Sequence, residues 1–192
     1  MSMFCFQCQE AAKGTGCTAK GVCGKTDDVA NLQDTLMFIL KGISWYNEKL
    51  RAKNLNPAKV DKFVFDGLFS TITNANFDKT NFGERIKKAI VLRNELHTKC
   101  VENSISLPEE LPEFATWSAS TIGEFEAKAE EVGVLNTENE DIRSLRELVI
   151  YGVKGLAAYA EHAWNLGHKK EEIYTFMQRA LVATTEDLSV DE

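Results

Sequence analysis

Four of the five cysteines lie close together near the N-terminus, and their thiols are the groups in this sequence best suited to do chemistry. They are Cys5, Cys8, Cys17 and Cys23, in the pattern C-x2-C-x8-C-x5-C. Glycines at positions 14, 16, 21 and 24 lie between and beside them. A glycine-rich loop that carries four thiols can fold around one metal ion or cluster without ligands from distant sequence.

The spacing of the four cysteines indicates which metal ion or cluster they bind. Structural zinc sites usually take thiolates from two C-x2-C knuckles, and only Cys5 and Cys8 form such a pair. The wider gaps before Cys17 and Cys23 favour a cubane iron-sulfur cluster, because its corners lie farther apart than the ligands of one ion. Zinc remains open on these residues alone.

Length and charge limit the classes of function. A chain of 192 residues can bury a core without a metal, so a metal site here is expected to be functional. The net charge of -7 and the absence of a basic cluster argue against nucleic acid as a partner. The chain has no secretory signal and no apolar run of membrane-spanning length. We therefore predict a cytoplasmic protein, in which reduced cysteines bind metal and do not form disulfides.

The elements that must position the thiols are helices. Apolar residues recur at helical spacing after the cysteine loop, and the only prolines are Pro57, Pro108 and Pro112. Helices are predicted at about 28–53, 58–73, 78–101, 120–132, 137–166 and 170–184. Residues 74–76 are predicted to form a turn, and Thr137 with Glu140 fits a capping box that opens the fifth helix.

These helices predict an all-α protein with four segments. An iron-sulfur loop is expected over residues 1–27, a first three-helix bundle over 28–103 and a second over 117–186. Residues 189–192 fit another capping box with no helix after it, so 187–192 is predicted to be the start of a truncated element.

Several other residues have ordinary structural explanations. Cys100 is predicted to be a small buried hydrophobic residue, and the three tryptophans are predicted to pack in the core. The histidines at 97, 162 and 168 are expected to be capping or core residues. A di-iron carboxylate site is excluded, because it needs Glu-x-x-His pairs that do not occur here. The charged set at 141, 143, 146 and 147 is predicted to be a solvated helix face, with contact to further domains as the alternative.

The sequence resembles the hybrid-cluster proteins, also called prismane proteins or hydroxylamine reductases. The resemblance covers the whole chain. It is carried by MFCFQCQE at 3–10, GCT at 16–18, CGK at 23–25, NLQD at 31–34, TITNAN at 71–76 and TENEDIRSLREL at 137–148.

The resemblance implies a helical N-terminal domain in which Cys5, Cys8, Cys17 and Cys23 bind one cluster. The spacing is similar to the strict-anaerobe type, which holds a 4Fe-4S cubane, whereas other members hold a 2Fe-2S cluster. By the same resemblance, this cluster is expected to relay electrons from a redox partner protein. Hydroxylamine or nitric oxide would then be reduced at a second cluster, a hybrid 4Fe-2S-2O centre.

The sequence departs from the family in its length. The ligands of the hybrid cluster, which include several cysteines, lie in C-terminal domains that this chain lacks, and only Cys100 remains beyond the first four. We therefore expect a fragment that transfers electrons but does not turn over hydroxylamine. The alternative function is a zinc-stapled helical interaction module without a redox role.

Overall fold

The computed structural model describes residues 2–8, 10–72 and 75–191, and every regular element within them is helical. The prediction of an all-α protein is confirmed. The helices are α1 Asp27–Arg51, α2 Ala58–Ser70, α3 Lys79–Glu102, α4 Glu113–Thr116, α5 Ile122–Val132, α6 Glu140–Asn165 and α7 Glu171–Ala183. Short 3-10 turns form at Ala12–Gly14 and Val134–Asn136.

Helix α1 is the centre of the fold. It packs most extensively against α3 and also contacts α2, α4, α5 and α7. Its apolar residues repeat at helical spacing, and Leu32, Leu36, Ile39 and Ile43 have no solvent exposure. Because this helix is buried on several sides, it can hold the cysteine loop at its N-terminal end on a rigid support.

A buried polar network ties α1, α2 and α7 together. The Asn47 side chain donates to Gln178 Oε1 at 2.7 Å, and Gln178 Nε2 donates to Asp61 Oδ1 at 2.7 Å. Asp61 also pairs with Arg51 at 2.5 Å. Buried polar groups need such partners, so the network fixes how these three helices meet.

The short helix α4 lies between the two predicted bundles, where no helix was predicted. Its backbone contacts α1 at Gly42, where a Cβ atom would lie 2.1 Å from the Phe114 carbonyl oxygen. The buried guanidinium of Arg93 donates to the carbonyl oxygens of Trp117 at 2.5 Å and Thr116 at 3.3 Å. A distant arginine therefore satisfies the end of α4, which local sequence cannot reveal.

The predicted helix bounds agree closely with the structure except at the start of α6. Asn139, and not Thr137, is the N-cap, because its side chain accepts hydrogen bonds from the amides of Asp141 and Ile142. The Thr137 carbonyl instead accepts from Arg143 at 2.9 Å. At α5 the capping box is formed by Thr121 and Glu124.

Packing crosses the boundary between the two expected bundles. Helix α2 packs against α6 and α7, α1 packs against α5 and α7, and one buried apolar cluster includes residues of all of them. The division into bundles over 28–103 and 117–186 stays a prediction. Parts of three predictions lie outside the described residues: the end of the second helix at Thr73, the turn at Asn74 and the capping box that includes Glu192. Met1 and Gln9 of the cysteine loop also lie outside them.

Candidate functional site

Two backbone hydrogen bonds join Cys5 to Cys17, which are both candidate ligands in the cysteine loop. The Cys5 amide donates to the Cys17 carbonyl at 3.0 Å, and the Cys17 amide donates to the Cys5 carbonyl at 2.8 Å. Cys5 and Cys17, which lie on opposite sides of the long x8 gap, are thereby brought side by side by the backbone alone.

All four predicted ligands line one cavity, together with Ala11, Gly21, Lys25 and Ile72. All four are free thiols; Cys17 is buried, Cys5 and Cys8 are partly buried, and Cys23 is exposed. Within residues 2–8, 10–72 and 75–191, no set of three or more His, Cys, Asp or Glu side chains is placed to hold a single metal ion. The sulfurs of a cluster stand farther apart, because iron and sulfide lie between them.

The donors around this cavity suit sulfur that carries negative charge. The Ala12 amide donates to Cys17 Sγ at 3.5 Å, and Gln7 Nε2 donates to Cys5 Sγ at 3.7 Å. At Gly21 a Cβ atom would lie 3.0 Å from Cys23 Sγ, so the loop has no room there for a side chain. Four thiols at one cavity, two of which accept N–H hydrogen bonds, fit a thiolate-bound iron-sulfur cluster, because such hydrogen bonds stabilise its charge.

A buried lysine lies beside the same sulfur. Lys25 is only 1% exposed; its ammonium donates to Gln33 Oε1 at 2.7 Å and lies 3.9 Å from Cys5 Sγ. A buried cation needs a nearby anion or strong acceptor. Gln33 supplies the acceptor, and an anionic group at Cys5 would supply the charge.

A second cavity adjoins the first at Cys5 and Gln7. It lies between α1 and α6, and its charged lining residues are Asp34, Lys41, Arg146, Glu147 and Lys154. Phe4, Phe6 and Tyr151 add aromatic surface. The Lys154 ammonium donates to Gln7 Oε1, and Gln7 in turn donates to Cys5 Sγ. The two cavities are therefore joined by a chain of hydrogen bonds.

Burial shifts the protonation of the charged groups in the second cavity. Removal from water raises the pKa of Asp34 to about 7, against the opposing attraction of Lys154. Burial lowers the pKa of Lys154 to about 8. Burial also raises the pKa of Glu147 and lowers the pKa of Lys41. Several groups with perturbed pKa values in one cavity are a common feature of functional sites.

Comparison of the sequence with known proteins identifies its family. The model of the Prismane/CO dehydrogenase family matches residues 3–190. The chain belongs to this family.

The relatives within the family are longer than this chain. A hydroxylamine reductase of Clostridium novyi (strain NT) is 56% identical over 192 residues, which cover 100% of this chain and 35% of that protein. Hydroxylamine reductases of Bacteroides fragilis (strain YCH46) and Thermoanaerobacter pseudethanolicus are 56% and 55% identical and are covered to 34% and 35%. The chain thus spans about a third of the length of these relatives.

The second cavity is a feature of the structure that sequence reasoning missed. Asp34 with Lys41 on α1 and Glu147 with Lys154 on α6 each stand seven residues apart, which places each pair on one helix face. This spacing of charged residues is the feature of the sequence that could have indicated the cavity. The prediction of a solvated face was wrong for Arg146 and Glu147, because Arg146 donates to the Glu186 carbonyl and both line the cavity.

The remaining candidates lie away from both cavities. Cys100 is fully buried in the apolar core, which confirms the prediction for it, and burial raises its pKa. The His97 ring lies against Tyr46 and the His162 ring against Phe69. Trp45, Trp117 and Trp164 pack against the core, as predicted. No helix among the described residues is long and apolar enough to cross a membrane.

Proposed function

We propose that this chain is the N-terminal electron-transfer domain of a longer oxidoreductase and that its four clustered cysteines bind one 4Fe-4S cluster. The observation that carries the proposal is the cavity into which Cys5, Cys8, Cys17 and Cys23 all open. A bound cluster would supply one-electron chemistry at this place.

The residues around the thiols have separate roles in this proposal. The Ala12 amide and the Gln7 side chain hold sulfur by hydrogen bonds, and Lys25 offsets negative charge at Cys5. Such donors raise the reduction potential of a cluster, and burial in a poorly solvated loop lowers it. The exposed side at Cys23 is where we expect a redox partner protein to deliver electrons.

We propose that catalysis needs residues beyond those of this chain. Relatives named hydroxylamine reductase extend far beyond the part that this chain covers. We propose that the full-length protein reduces hydroxylamine, or nitric oxide, at a hybrid 4Fe-2S-2O cluster held by its further domains. Besides the four loop cysteines, this chain has only Cys100, which lies in the apolar core, so we expect the 192-residue chain to be inactive alone.

The test is to purify the chain without oxygen and to measure iron, acid-labile sulfide and zinc, followed by EPR of the reduced protein. We expect about four iron and four sulfide per chain and an EPR signal on reduction. Cys8→Ser should lose most of the iron and the signal. Cys100→Ser is the matched control, because Cys100 lies outside the cavity, and it should retain both.

Two results would contradict this proposal. One zinc per chain without iron or an EPR signal would support the zinc-stapled interaction module, because zinc is redox-silent. Robust hydroxylamine reduction by the 192-residue chain would show that the catalytic centre does not need further domains.

A further inference from the structure

Two buried lysines lie beside the cysteine loop, and each is hydrogen-bonded to a glutamine. Lys25 is 1% exposed, and its ammonium donates to Gln33 Oε1 at 2.7 Å. Lys154, on α6, is 6% exposed, and its ammonium donates to Gln7 Oε1. In the part of the chain that the structure describes, neither ammonium forms an ion pair with an aspartate or a glutamate. Buried charges are usually paired directly with an opposite charge, so these two cations indicate that an anionic group binds close by.

Both lysines act on the same sulfur atom. The Lys25 ammonium lies 3.9 Å from Cys5 Sγ. Lys154 is connected to that sulfur through Gln7, whose Nε2 donates to Cys5 Sγ at 3.7 Å. A cluster held by four thiolates is an anionic group of the kind that these cations would stabilise.

The contacts of Gln7 fix the orientation of its side-chain amide. Its oxygen accepts from Lys154, and its nitrogen donates to the Thr71 carbonyl at 3.2 Å as well as to Cys5 Sγ. A rotated amide would place its oxygen against the sulfur and would leave Lys154 and the Thr71 carbonyl without these partners. Both residues are buried, so that loss would be costly. Lys154 therefore selects the orientation in which Gln7 donates to Cys5.

We propose that Lys154 is a positioning residue for the electron relay. It holds the Gln7 amide so that this amide donates to Cys5, and together with Lys25 it raises the reduction potential of the cluster. Lys154 is 147 residues away from Gln7 along the chain, so α6 takes part in setting the potential of a site built from the N-terminal loop. The inference rests on the proposed function, because it needs a redox cluster at the four cysteines.

The direction of the effect follows from charge. Reduction adds one negative charge to the cluster, and hydrogen bonds and cations near its sulfurs stabilise the reduced state more than the oxidised state. Loss of either lysine should therefore lower the potential. Lys25 should have the larger effect, because its ammonium lies next to Cys5 Sγ. Asp34 and Glu147 share the second cavity with Lys154 and reduce the effect of its charge.

The experiment is an EPR-monitored redox titration of the cluster-loaded chain and its variants at pH 6.5. Lys25→Met should lower the equilibrium constant for one-electron reduction by about tenfold or more, where each factor of ten corresponds to about 59 mV. Lys154→Met and Gln7→Met should each lower it by about three- to tenfold, because each removes the positioned hydrogen bond. Lys154→Arg retains the charge and the donor and should keep most of the wild-type potential.

A double substitution tests whether Lys154 acts through Gln7. Lys154→Met combined with Gln7→Met should lower the potential by less than the sum of the two single changes, because both remove the same hydrogen bond to Cys5. Strict additivity would show that the lysine acts only by its charge through space, and it would overturn the positioning role.

Lys128→Met is the matched control. Lys128 is 3% exposed and lies on α5, where it pairs with Glu113 and Glu131, and it lines neither cavity. It therefore matches Lys154 in charge and burial, and its substitution should leave the wild-type potential unchanged. An equal fall in Lys128→Met and Lys154→Met would show a general charge effect and would overturn the assignment to Lys154.

The outcomes separate the two proposals. A chain without iron refutes the proposed function before any titration. A full cluster with the wild-type potential in both Lys154→Met and Gln7→Met leaves the proposed function intact and refutes the positioning role. If Lys154→Met fails to fold or to bind iron, Gln7→Met still decides, because an unchanged potential in that variant overturns the inference.

Discussion

At the scale of single residues, the sequence predicts that four cysteines come together, but it does not predict their surroundings. The pattern of Cys5, Cys8, Cys17 and Cys23 is local and chemically specific, and the structure places all four at one cavity; their role as ligands stays a prediction. Asp34 and Lys154 are far apart in sequence and meet only because α1 and α6 line one cavity. A charged residue in a helix is expected to face water, and only tertiary packing overrides that expectation.

Gly42 gives a prediction at this scale. In Gly42→Ala the new methyl group would lie 2.1 Å from the Phe114 carbonyl oxygen, which is backbone and cannot rotate away. We expect a loss of at least about 2 kcal/mol in the free energy of unfolding, measured by urea denaturation. Gly152→Ala is the matched control, because Gly152 lies within α6 with nothing within 4 Å of the new atom.

The control should change stability in the opposite direction. Alanine in an exposed helix interior is favoured over glycine by about 0.5–1 kcal/mol, so Gly152→Ala should be slightly stabilising. Equal effects of the two substitutions would contradict the close approach of α4 to α1.

At the scale of elements, helix positions could be read from apolar periodicity, whereas contacts between elements could not. The bounds of α1, α3 and α7 follow from strong local patterns. Helix α4 was missed because four residues carry too little periodicity to predict a helix. It is held by Arg93 and by its close approach to α1 at Gly42, which are both distant in sequence.

The buried network of α1, α2 and α7 gives a prediction at this scale. Gln178→Leu removes the acceptor of the Asn47 side-chain amide and one donor to Asp61, so two buried polar groups each lose a hydrogen bond. We expect a cost of about 2–3 kcal/mol in the free energy of unfolding by urea denaturation.

A double-substitution cycle tests whether the cost arises from unpaired polar groups. The pair Asn47→Leu and Gln178→Leu should cost less than the sum of the single changes, because the second change removes a group that the first left unpaired. Strict additivity would argue that the two side chains do not share a bond.

At the scale of the whole molecule, the outer face of α6 is unusually apolar for a surface. Leu148 is 67% exposed and Tyr159 is 79% exposed, while Ile150 on the inner face is 7% exposed. The apolar spacing along α6 predicted a helix correctly, but it could not show which of these residues are buried. Only the placement of α2 and α7 against one side decides that.

This asymmetry gives a prediction for stability. Leu148→Ser and Tyr159→Ser should each change the free energy of unfolding by less than about 0.5 kcal/mol, because their side chains lie mostly in water. Ile150→Ala should cost about 2–4 kcal/mol, because it leaves a cavity in the core. Thermal or urea unfolding of the three variants provides the comparison, and a large loss in Tyr159→Ser would be inconsistent with its exposure.

The four thiols differ in solvent exposure, and this difference predicts the order in which they bind the metal and the order in which they are oxidised. Cys17 is buried against the chain and is paired through its backbone with Cys5, whereas Cys23 is open to solvent. Cys23 is the most accessible of the four thiols, so we expect it to be the last ligand to close over the metal. Oxidants follow the same route, because accessible thiolates react first. Cys23 should therefore be the first ligand lost in air and the first regained on repair.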